Sequence, residues 1–561
     1  MPTCTLTLLD TVGIQGYVFG SNVLRENIGA SELVRRATRL WPFDEVRKAG
    51  KTNVKPGREL TGDLDDLDDT LRIENGNLDA EIIYAGGGNC ALLFANETTA
   101  KDFVTHLSGR MLAEAPDLDL VAAHVEVDWG TDALADKVKE ALDQLAVKKW
   151  ERRVSTPLLG LGTTVACRST GLPAVDTDAN HKPPEAPIRP ISAGILAKLE
   201  VVQDANERLV DCLSLFDTDL DVPYDFDDFG REEGEISYIA VIHADGNGMG
   251  SRIKELRSSF ARPKENRRYI QAMRDFSRAV EEASKQALNE IKDLLLCHRR
   301  PKDAIVGWTK TKDDQGEWVP IGKKIGLTKG KKERFYIPFR PIVFGGDDLT
   351  FVTDGRLGLE LAAAYLAAFE KEMNAQDNEY TQNLQACAGV AVVKAHYPFA
   401  RAYALAEELC RNAKRVWERK FSALDWHFAA TGLFGDVKAI RQRHYTVRAG
   451  HLEMRPVLLH KQVGEWRSWP GFACATKDFL IGKAWAGKRN KVIALRKALR
   501  GGPEAVAQFR SAYGLEELPL LAAGREALQS TGWDGAGRCG YFDAVEALDF
   551  FLPLDRGKEA A

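Results

Sequence analysis

The chain has 561 residues, a hydrophobic fraction of 44%, a charged fraction of 28% and a formal net charge of −5. This length exceeds what one hydrophobic core supports and predicts about three to four domains. The charge excludes a protein that is basic throughout, and the lack of long apolar runs or a signal-peptide pattern predicts a cytoplasmic protein with no membrane partner.

The first 100 residues contain two strand signals. Residues 3–9 alternate and then become apolar, which predicts a buried strand that ends at Asp10. Residues 27–40 have helical spacing, and we expect the acidic stretch at residues 63–69 to be an exposed loop. Residues 82–94 then predict a strand, a glycine-rich turn and a second strand.

The middle of the chain is less regular. Residues 183–190 are rich in proline, residues 191–210 predict a helix, and residues 217–235 are strongly acidic. Such a composition is typical of a linker or an exposed border between domains.

A second set of elements begins with an apolar strand, residues 236–244, which places Asp245 at its carboxyl end. Residues 299–334 form a polar insertion. The other elements that we predict are a helix at residues 267–296, a hairpin around Gly345 and Gly346, a helix at 357–373, a strand at 384–394 and a helix at 398–417. This is the βαββαβ order of ferredoxin-like domains, in which the first strand and the hairpin are central neighbours.

The hairpin carries the most specific signal, Gly345-Gly346-Asp347-Asp348. The glycines permit a tight turn, and the two adjacent carboxylates repel each other unless a cation or solvent separates them. Hard oxygen ligands select Mg²⁺ or Mn²⁺. For the peptide alone, a surface turn and a metal site remain equally good interpretations.

The two glycine-rich hairpins align without a gap, residues 84–89 against residues 343–348. The first hairpin keeps the turn but lacks both acids. Each hairpin also comes after a strand that ends in Asp, and a Gly lies three residues beyond that Asp. These residues are Asp10 and Gly13 before the first hairpin and Asp245 and Gly248 before the second. We infer an internal duplication of one α+β module, with chance similarity of short turns as the alternative.

Neighbouring central strands would bring Asp245 close to Asp347 and Asp348, and three such carboxylates suit a two-metal phosphoryl-transfer site. Two Mg²⁺ or Mn²⁺ ions would then activate a 3′-hydroxyl and hold a triphosphate. Lys414, on the helix after the last strand, is a candidate to contact a phosphate oxygen, although a surface lysine is the commoner alternative.

The C-terminal part, from residue 431, has fewer strand signals and predicts helices. Residues 477–500 carry eight basic side chains and one acid, Asp478. This face is either solvated or a docking site for RNA or protein.

These motifs resemble the palm of the CRISPR polymerase family, the large GGDD subunit of type III CRISPR effector complexes and a relative of GGDEF cyclases. The resemblance rests on residues 244–250 (Ala-Asp-Gly-Asn-Gly-Met-Gly), on residues 344–348 (Phe-Gly-Gly-Asp-Asp) and on residues 388–398 with Lys414. Residues 10–17 and 29–33 are similar to the first, degenerate palm of that subunit.

The resemblance implies an α+β fold with two ferredoxin-like (βαββαβ) palm domains in one chain, a helical linker domain and a helical C-terminal domain. The expected boundaries are residues 1–150 for the first palm, 151–234 for the linker, 235–430 for the second palm with its GGDD hairpin, and 431–561 for the C-terminal domain.

The function that the resemblance implies is conversion of ATP to cyclic oligoadenylate messengers, with two nucleotides bound between the palms. Guide RNA, target RNA and other CRISPR effector subunits are the implied partners. Asp245, Asp347 and Asp348 would be catalytic and would bind the metal ions. The implied nucleotide-binding residues are Gly345, Gly346, Lys414, Gly86, Gly87, Gly88 and Asn89.

Two features depart from the family. No histidine is followed by Asp, so we expect no HD nuclease, and none of the nine cysteines forms the Cys-x-x-Cys pair of a zinc site. A stand-alone defence cyclase therefore remains open beside a subunit of a standard effector complex. The alternative functions are a non-catalytic scaffold that binds nucleotide or RNA, and a GGDEF-like cyclic-dinucleotide synthase that uses GTP.

Overall fold

The structure, a computed structural model, describes residues 3–57, 59–152, 161–183, 186–230, 237–312, 318–330, 333–376, 378–429, 435–521 and 526–554. Parts of the predicted linker and Ile236, at the predicted start of a strand, lie outside these ranges. Within the ranges, no helix combines the length and the apolar character needed to cross a lipid bilayer.

The first module, residues 3–152, is built on a four-stranded antiparallel sheet with the strand order β2-β3-β1-β4. Its elements are β1 (Thr3–Val12), α1 (Ile14–Phe19), α2 (Leu24–Arg35), a π-helical turn (Arg36–Leu40), α3 (Trp41–Ala49), β2 (Ala80–Gly86), β3 (Asn89–Phe94), α4 (Glu97–Glu114), β4 (Asp119–Asp128) and α5 (Leu134–Glu151). The predicted first strand and hairpin are present, while the helix predicted at 27–40 extends through the π-helical turn into α3.

Both faces of this sheet are covered. Leu6 and Leu8 of β1 belong to one buried cluster together with Val138 of α5, whereas Leu9 belongs to another together with Phe103 of α4. Alternate residues of a strand point to opposite faces. A strand buried on both faces therefore needs apolar residues at consecutive positions, as the Leu8-Leu9 pair shows.

The acidic stretch at residues 63–69 is not the exposed loop that we predicted. Asp66 is fully buried and accepts hydrogen bonds from the backbone amides of Thr61 and Gly62 at 2.8 and 2.9 Å. Asp69 pairs with Arg274 at 2.8 Å. The burial of Asp66 and the contact of Asp69 with an arginine of a distant helix are not revealed by local composition.

Short elements connect the two modules: β5 (Asp176–Thr177), β6 (Pro190–Ile191), α6 (Ala193–Glu200), α7 (Val202–Cys212) and β7 (Leu220–Asp221). The single helix predicted at 191–210 is interrupted at Val201. Helix α6 packs closely on α2 at Gly29, where a Cβ atom would lie 1.7 Å from the carbonyl oxygen of Lys198. Helix α6 is thus packed against the first module, whereas β7 pairs in parallel with residues 335–336 of the second.

The second module, residues 237–429, supplies five strands of a larger sheet, and the sixth strand is β18 (Val457–Leu458) from the C-terminal part; the order is β12-β13-β8-β14-β15-β18. Its elements are β8 (Tyr238–Gly246), α8 (Met249–Ser259), α9 (Asn266–Cys297), β9 (Ala304–Lys312), β10 (Trp318–Gly326), β11 (Phe335–Tyr336), β12 (Phe339–Val343), β13 (Asp348–Asp354), α10 (Gly358–Ala375), β14 (Ala386–Lys394), α11 (Phe399–Val416) and β15 (Ala423–Ala429). The first four sheet positions repeat the strand order of the first module, with β8 in the place of β1.

The sheet is wider than the four strands predicted. Strand β15 pairs with β14 in parallel, and a short C-terminal strand, Val457–Leu458, pairs with β15. All seven residues of β15 are buried, including Asp425 and His427, so the strand lacks the alternation that marks a half-exposed strand. The polar insertion at 299–334 also contains a hairpin, β9 with β10.

The C-terminal part is mainly helical within the described residues. It comprises α12 (Val437–His444), β16 (Thr446–Val447), β17 (Gly450–His451), β18 (Val457–Leu458), α13 (Trp469–Ile481), α14 (Arg489–Gly501), α15 (Pro503–Ala512), α16 (Glu526–Thr531) and α17 (Phe542–Ala547). The basic stretch at 477–500 spans the end of α13 and most of α14, and several of its side chains have intramolecular contacts, such as Arg489 with Asp549 at 2.9 Å.

Candidate functional site

Asp245 and Asp348 lie directly opposite each other on adjacent antiparallel strands, β8 and β13. Asp347 precedes Asp348 at the turn, and its carbonyl oxygen accepts a hydrogen bond from the amide of Gly246 at 3.2 Å. Gly345, at the same turn, has φ 107°, a backbone conformation that favours glycine. The structure thus brings the three predicted acids to one end of two central strands.

Lys414 reaches this cluster from α11. Its Nζ atom lies 2.6 Å from Asp245 Oδ2 and donates to the carbonyl oxygen of Gly246 at 2.7 Å. Only 8% of Lys414 is exposed, so it is not the free surface lysine of the alternative interpretation. It supplies a positive charge beside the three carboxylates.

Burial and the surplus of negative charge raise the pKa values of the two carboxyl groups at the turn, Asp347 and Asp348. Desolvation in the cleft, together with the charges of Asp245 and Asp348, raises the pKa of Asp347 to about 6. Desolvation and the charge of Asp245 raise the pKa of Asp348 to about 7, although half of its side-chain surface stays accessible. The charge of Lys414 acts in the opposite direction on both groups. A further positive charge at this point would therefore be favourable.

These residues fit a hard divalent cation by their donor chemistry, since all three offer carboxylate oxygens where negative charge is in excess. In the described part of the chain, however, no three or more His, Cys, Asp or Glu side chains converge on a common point as metal ligands. Asp245 is instead directed toward Lys414.

His243 also contacts the cluster, and the sequence analysis did not identify it. Its Nδ1 atom lies 3.3 Å from Asp348 Oδ1 and 3.3 Å from the Thr350 hydroxyl. Burial lowers the pKa of His243, which favours the neutral ring. The available signal was its position two residues before Asp245, because i and i+2 share one face of a strand.

The hairpin of the first module has the same construction. Asp10 lies opposite Asn89 on β1 and β3, as Asp245 lies opposite Asp348. Asp10 forms an ion pair with Lys149 of α5, the helix that follows the last strand of its sheet. Lys149 therefore corresponds to Lys414, a relationship that the sequence analysis missed.

The turns that follow the two strands also correspond. Gly13 and Gly248 both adopt the left-handed conformation, with φ 71° and 72°, and each directly precedes a helix. A residue with a Cβ atom is strained in this conformation. The spacing from Asp to Gly in the sequence thus reflects the same turn in both modules.

A cavity of about 580 Å³ lies between the two hairpins. Gly87 and Gly88 line it from the first module, and residues 345–348 line it from the second. Gly86 and Asn89 are not among the lining residues, although both belong to the first hairpin. Four of the five predicted nucleotide-binding glycines, Gly87, Gly88, Gly345 and Gly346, therefore face one shared space.

Arg39, in the π-helical turn, spans this cavity. Its Nη2 atom donates to the carbonyl oxygen of Gly345 at 2.8 Å, and Nη1 contacts Glu281 at 2.9 Å and Asp63 at 3.2 Å. Arg39 is also 3.0 Å from the position that a Cβ atom of Gly86 would occupy. One side chain thus lies against both hairpins, and π-helical turns are often found at functional positions.

Other basic side chains that line the cavity were not predicted. Arg208 donates to Glu32 at 3.1 Å and lies 4.6 Å above the ring of Phe344, and Lys285 pairs with Glu281 at 2.9 Å. They are brought to the hairpins only by the packing of α7 and α9. No local sequence signal identifies them.

Residues 238–421 match the family model described as "Cas10/Cmr2, second palm domain". The matched segment contains Asp245, the Gly345 to Asp348 turn and Lys414. No curated protein matches the chain.

Several solved structures of Csm1 are similar over nearly the whole chain. A Csm1-Csm4 cassette in complex with pppApApA is 13% identical, with 98% of this chain and 69% of that chain covered and a TM-score of 0.46. A Csm1-Csm4 cassette in complex with cA4 is 13% identical, with 98% of this chain and 70% of that chain covered and a TM-score of 0.44. Csm1 of T. onnurineus is 14% identical, with 97% of this chain and 68% of that chain covered and a TM-score of 0.44.

The matched segment contains most of the sheet that carries the three carboxylates, and it contains the motifs of the second module on which the sequence resemblance rests. The chain has a mixed α+β structure with a palm domain in its second module. Residues 238–421 are thus identified as a Cas10/Cmr2 second palm domain.

Proposed function

We propose that the chain is a nucleotidyltransferase that converts ATP to cyclic oligoadenylate messengers in type III CRISPR or a related antiviral defence. The observation that carries this proposal is the placement of Asp245 opposite Asp348, with Asp347 beside them at a glycine turn. Guide RNA paired with target RNA, together with other effector subunits, is the proposed activating partner.

In the proposed reaction, the 3′-hydroxyl oxygen of one ATP attacks the α-phosphorus of another. A new phosphodiester bond forms, the bond to the β-phosphate oxygen breaks, pyrophosphate leaves, and the hydroxyl proton passes to solvent. Ring closure is the same step within one chain, when its terminal 3′-hydroxyl attacks its own 5′-triphosphate.

Asp245, Asp347 and Asp348 would hold Mg²⁺ or Mn²⁺, two ions in the proposed site, which would lower the pKa of the attacking hydroxyl and neutralise the triphosphate. In addition to the metal ions, the ammonium group of Lys414 supplies a positive charge beside Asp245 in the same cluster. The glycines at 345 and 346 leave the turn without side chains, so a triphosphate can approach the backbone.

We propose further that residues 1–150 form a first, degenerate ferredoxin-like palm and residues 235–430 the active one. The common strand order, the Asp10 and Asn89 pairing and the Lys149 ion pair support a duplication. In this arrangement, Gly86, Gly87, Gly88 and Asn89 help to hold the acceptor ATP, while Gly345, Gly346 and Lys414 hold the donor.

The test is pyrophosphate release from labelled ATP with Mg²⁺ or Mn²⁺, with and without guide and target RNA. We expect release in the wild type and its loss in Asp347→Ala, Asp348→Ala. The matched control is Asp102→Ala, Asp143→Ala, which removes two exposed aspartates of the first module and should retain activity. Equal release from both double variants would exclude the proposed site.

A non-catalytic scaffold is the second candidate, and the contact of Asp245 with Lys414 favours it, because an ion pair of this kind can hold a nucleotide pocket together without metal. It predicts ATP binding without turnover under every condition. A GGDEF-like synthase would instead consume GTP in preference to ATP, and competition among the four nucleotides distinguishes it.

A further inference from the structure

A second cavity, of about 660 Å³, lies between the end of α11, the start of α12 and the loops around Arg467 and Arg538. It shares no lining residue with the cavity between the hairpins. Arg411 and Arg415, one helical turn apart on α11, line it, while Lys414 contacts Asp245 instead. We refer to this space as the arginine cavity.

The arginine cavity has more positive than negative charge. Six arginines and Lys438 line it, against three acids, Glu408, Asp436 and Glu453. Two of these acids are already engaged with the backbone: Glu408 accepts from the amide of Val437 at 2.9 Å, and Asp436 accepts from Ala439 at 2.7 Å. Four of the six arginines pair with carboxylates outside the lining: Arg411 with Glu407, Arg441 with Asp425, Arg455 with Asp543 and Arg467 with Glu465. The surplus of positive charge therefore rests mainly on Arg415, Arg538 and Lys438.

Several of the basic groups have donors to spare. Arg415 donates to the amide oxygen of Asn412 at 2.8 Å, and among the described residues neither it nor Lys438 has a carboxylate within ion-pair distance. Arg538 donates from Nη1 to the backbone carbonyl of Glu453 at 2.7 Å. Burial and the charge of Arg467 lower the pKa of Arg538, which indicates that the two guanidinium groups repel each other.

Arg455 forms a fixed part of the wall. It is fully buried, and its Nη1 atom pairs with Asp543 at 3.0 Å and with Glu546 at 3.3 Å. Within the described residues, its Nε and Nη2 atoms have no hydrogen-bond partner. The guanidinium lies 4.7 Å above the ring of Tyr445, which keeps it in place. This charge is ordered before any ligand arrives.

We propose that the arginine cavity binds a ligand with two or more adjacent phosphate groups, such as inorganic polyphosphate or the triphosphate of a nucleotide. The guanidinium group offers paired donors that match phosphate oxygens, and several such groups in one concave site suit a run of phosphates. No Phe, Tyr or Trp side chain is among the described residues that line the cavity, and His451 carries its one imidazole ring, so the cavity would recognise phosphate in preference to a base.

The probe is inorganic tripolyphosphate, titrated by calorimetry into the full chain in low salt with EDTA present. We expect one binding event in the wild type. The variant Arg415→Gln, Lys438→Gln changes two exposed side chains and should weaken binding at least tenfold. The matched control, Arg401→Gln with Lys371→Gln, removes an exposed arginine of α11 and an exposed lysine of α10 that lie outside the cavity, and should bind as the wild type does.

Competition identifies the source of the phosphates. ATP should displace tripolyphosphate, whereas adenosine should not, and added salt should weaken both ligands. Absence of tripolyphosphate binding, equal binding by the cavity variant and the wild type, or binding of an RNA oligonucleotide in its place would overturn the proposal. These results do not depend on Asp347 and Asp348, so they are separable from the test of the proposed catalysis.

Discussion

The guanidinium of Arg39 donates a hydrogen bond of 2.8 Å to the carbonyl oxygen of Gly345, so a side chain of the first module supports the glycine turn of the second. Glu281 of α9 holds the other guanidinium nitrogen at 2.9 Å. Both side chains are largely buried, at 9% and 12% exposure. The position of the turn therefore depends on packing between the modules.

Replacement of Arg39 should affect both stability and the turn. In Arg39→Met, Glu281 keeps Lys285 as a partner but loses its bond to the guanidinium, and the loss of one hydrogen bond to a charged group costs about 1.5 to 3 kcal/mol. We expect a lower midpoint in urea and faster hydrogen exchange at the turn formed by residues 345–348. Arg39→Lys keeps the charge but not the paired donors, and should have an intermediate effect. Unchanged exchange in Arg39→Met would contradict a supporting role.

Lys414 and Lys149 should differ in effect although their contacts correspond. Lys414→Met removes the charge that lowers the pKa of Asp347 and Asp348, so both values should rise further and pyrophosphate release should fall about tenfold or more. Lys149→Met, the matched control, removes the partner of Asp10 in the module without the paired acids. Comparable losses in the two variants would argue against an active and a degenerate half.

Metal binding should depend on pH near neutrality. The pKa of Asp348 is raised to about 7 and that of Asp347 to about 6, so both carboxyls are charged at pH 8 and carry protons as the pH falls through these values. Protons then compete with the metal, and Mn²⁺ affinity should fall by up to about tenfold per pH unit below pH 7. Calorimetry in buffers with different ionisation enthalpies measures the released protons; affinity that stays constant from pH 8 to pH 6 would count against the assignment.

Acids placed in the first hairpin should not restore activity lost from the second. Gly88 has φ 84°, and a Cβ atom there would lie 2.5 Å from Ile14 Cδ1, so Gly88→Asp strains the turn by about 1 to 2 kcal/mol. Addition of Gly88→Asp and Asn89→Asp to the Asp347→Ala, Asp348→Ala protein should leave pyrophosphate release absent. Asn89→Asp alone serves as the unstrained control. Recovered release would mean that the halves are interchangeable.

The sequence identified the residues that adjacent strands bring together. The gapless alignment of the two hairpins placed Asn89 against Asp348, and in the structure these residues lie opposite Asp10 and Asp245. Strand pairing and the glycine turns have local signals, because the period of two and the positive φ values restrict which residues fit.

The site residues that could not be predicted from the sequence reach the site from elements that are distant in the chain. Arg39 and Arg208 lie in helices whose local patterns show only that one face is polar, and their contacts depend on how the modules pack. Strand β15 was missed because it is buried on both faces, and the burial of Asp66 was missed because its stretch is acidic. In each case the deciding contact is remote in sequence.

The most direct test of the central claim is mass spectrometry of the product made from a mixture of the four nucleoside triphosphates with Mg²⁺ or Mn²⁺ and activating RNA. The account predicts cyclic products that contain only adenylate, formed by the wild type and absent from Asp347→Ala, Asp348→Ala. Products that contain guanylate, or the same products from that double variant, would contradict it.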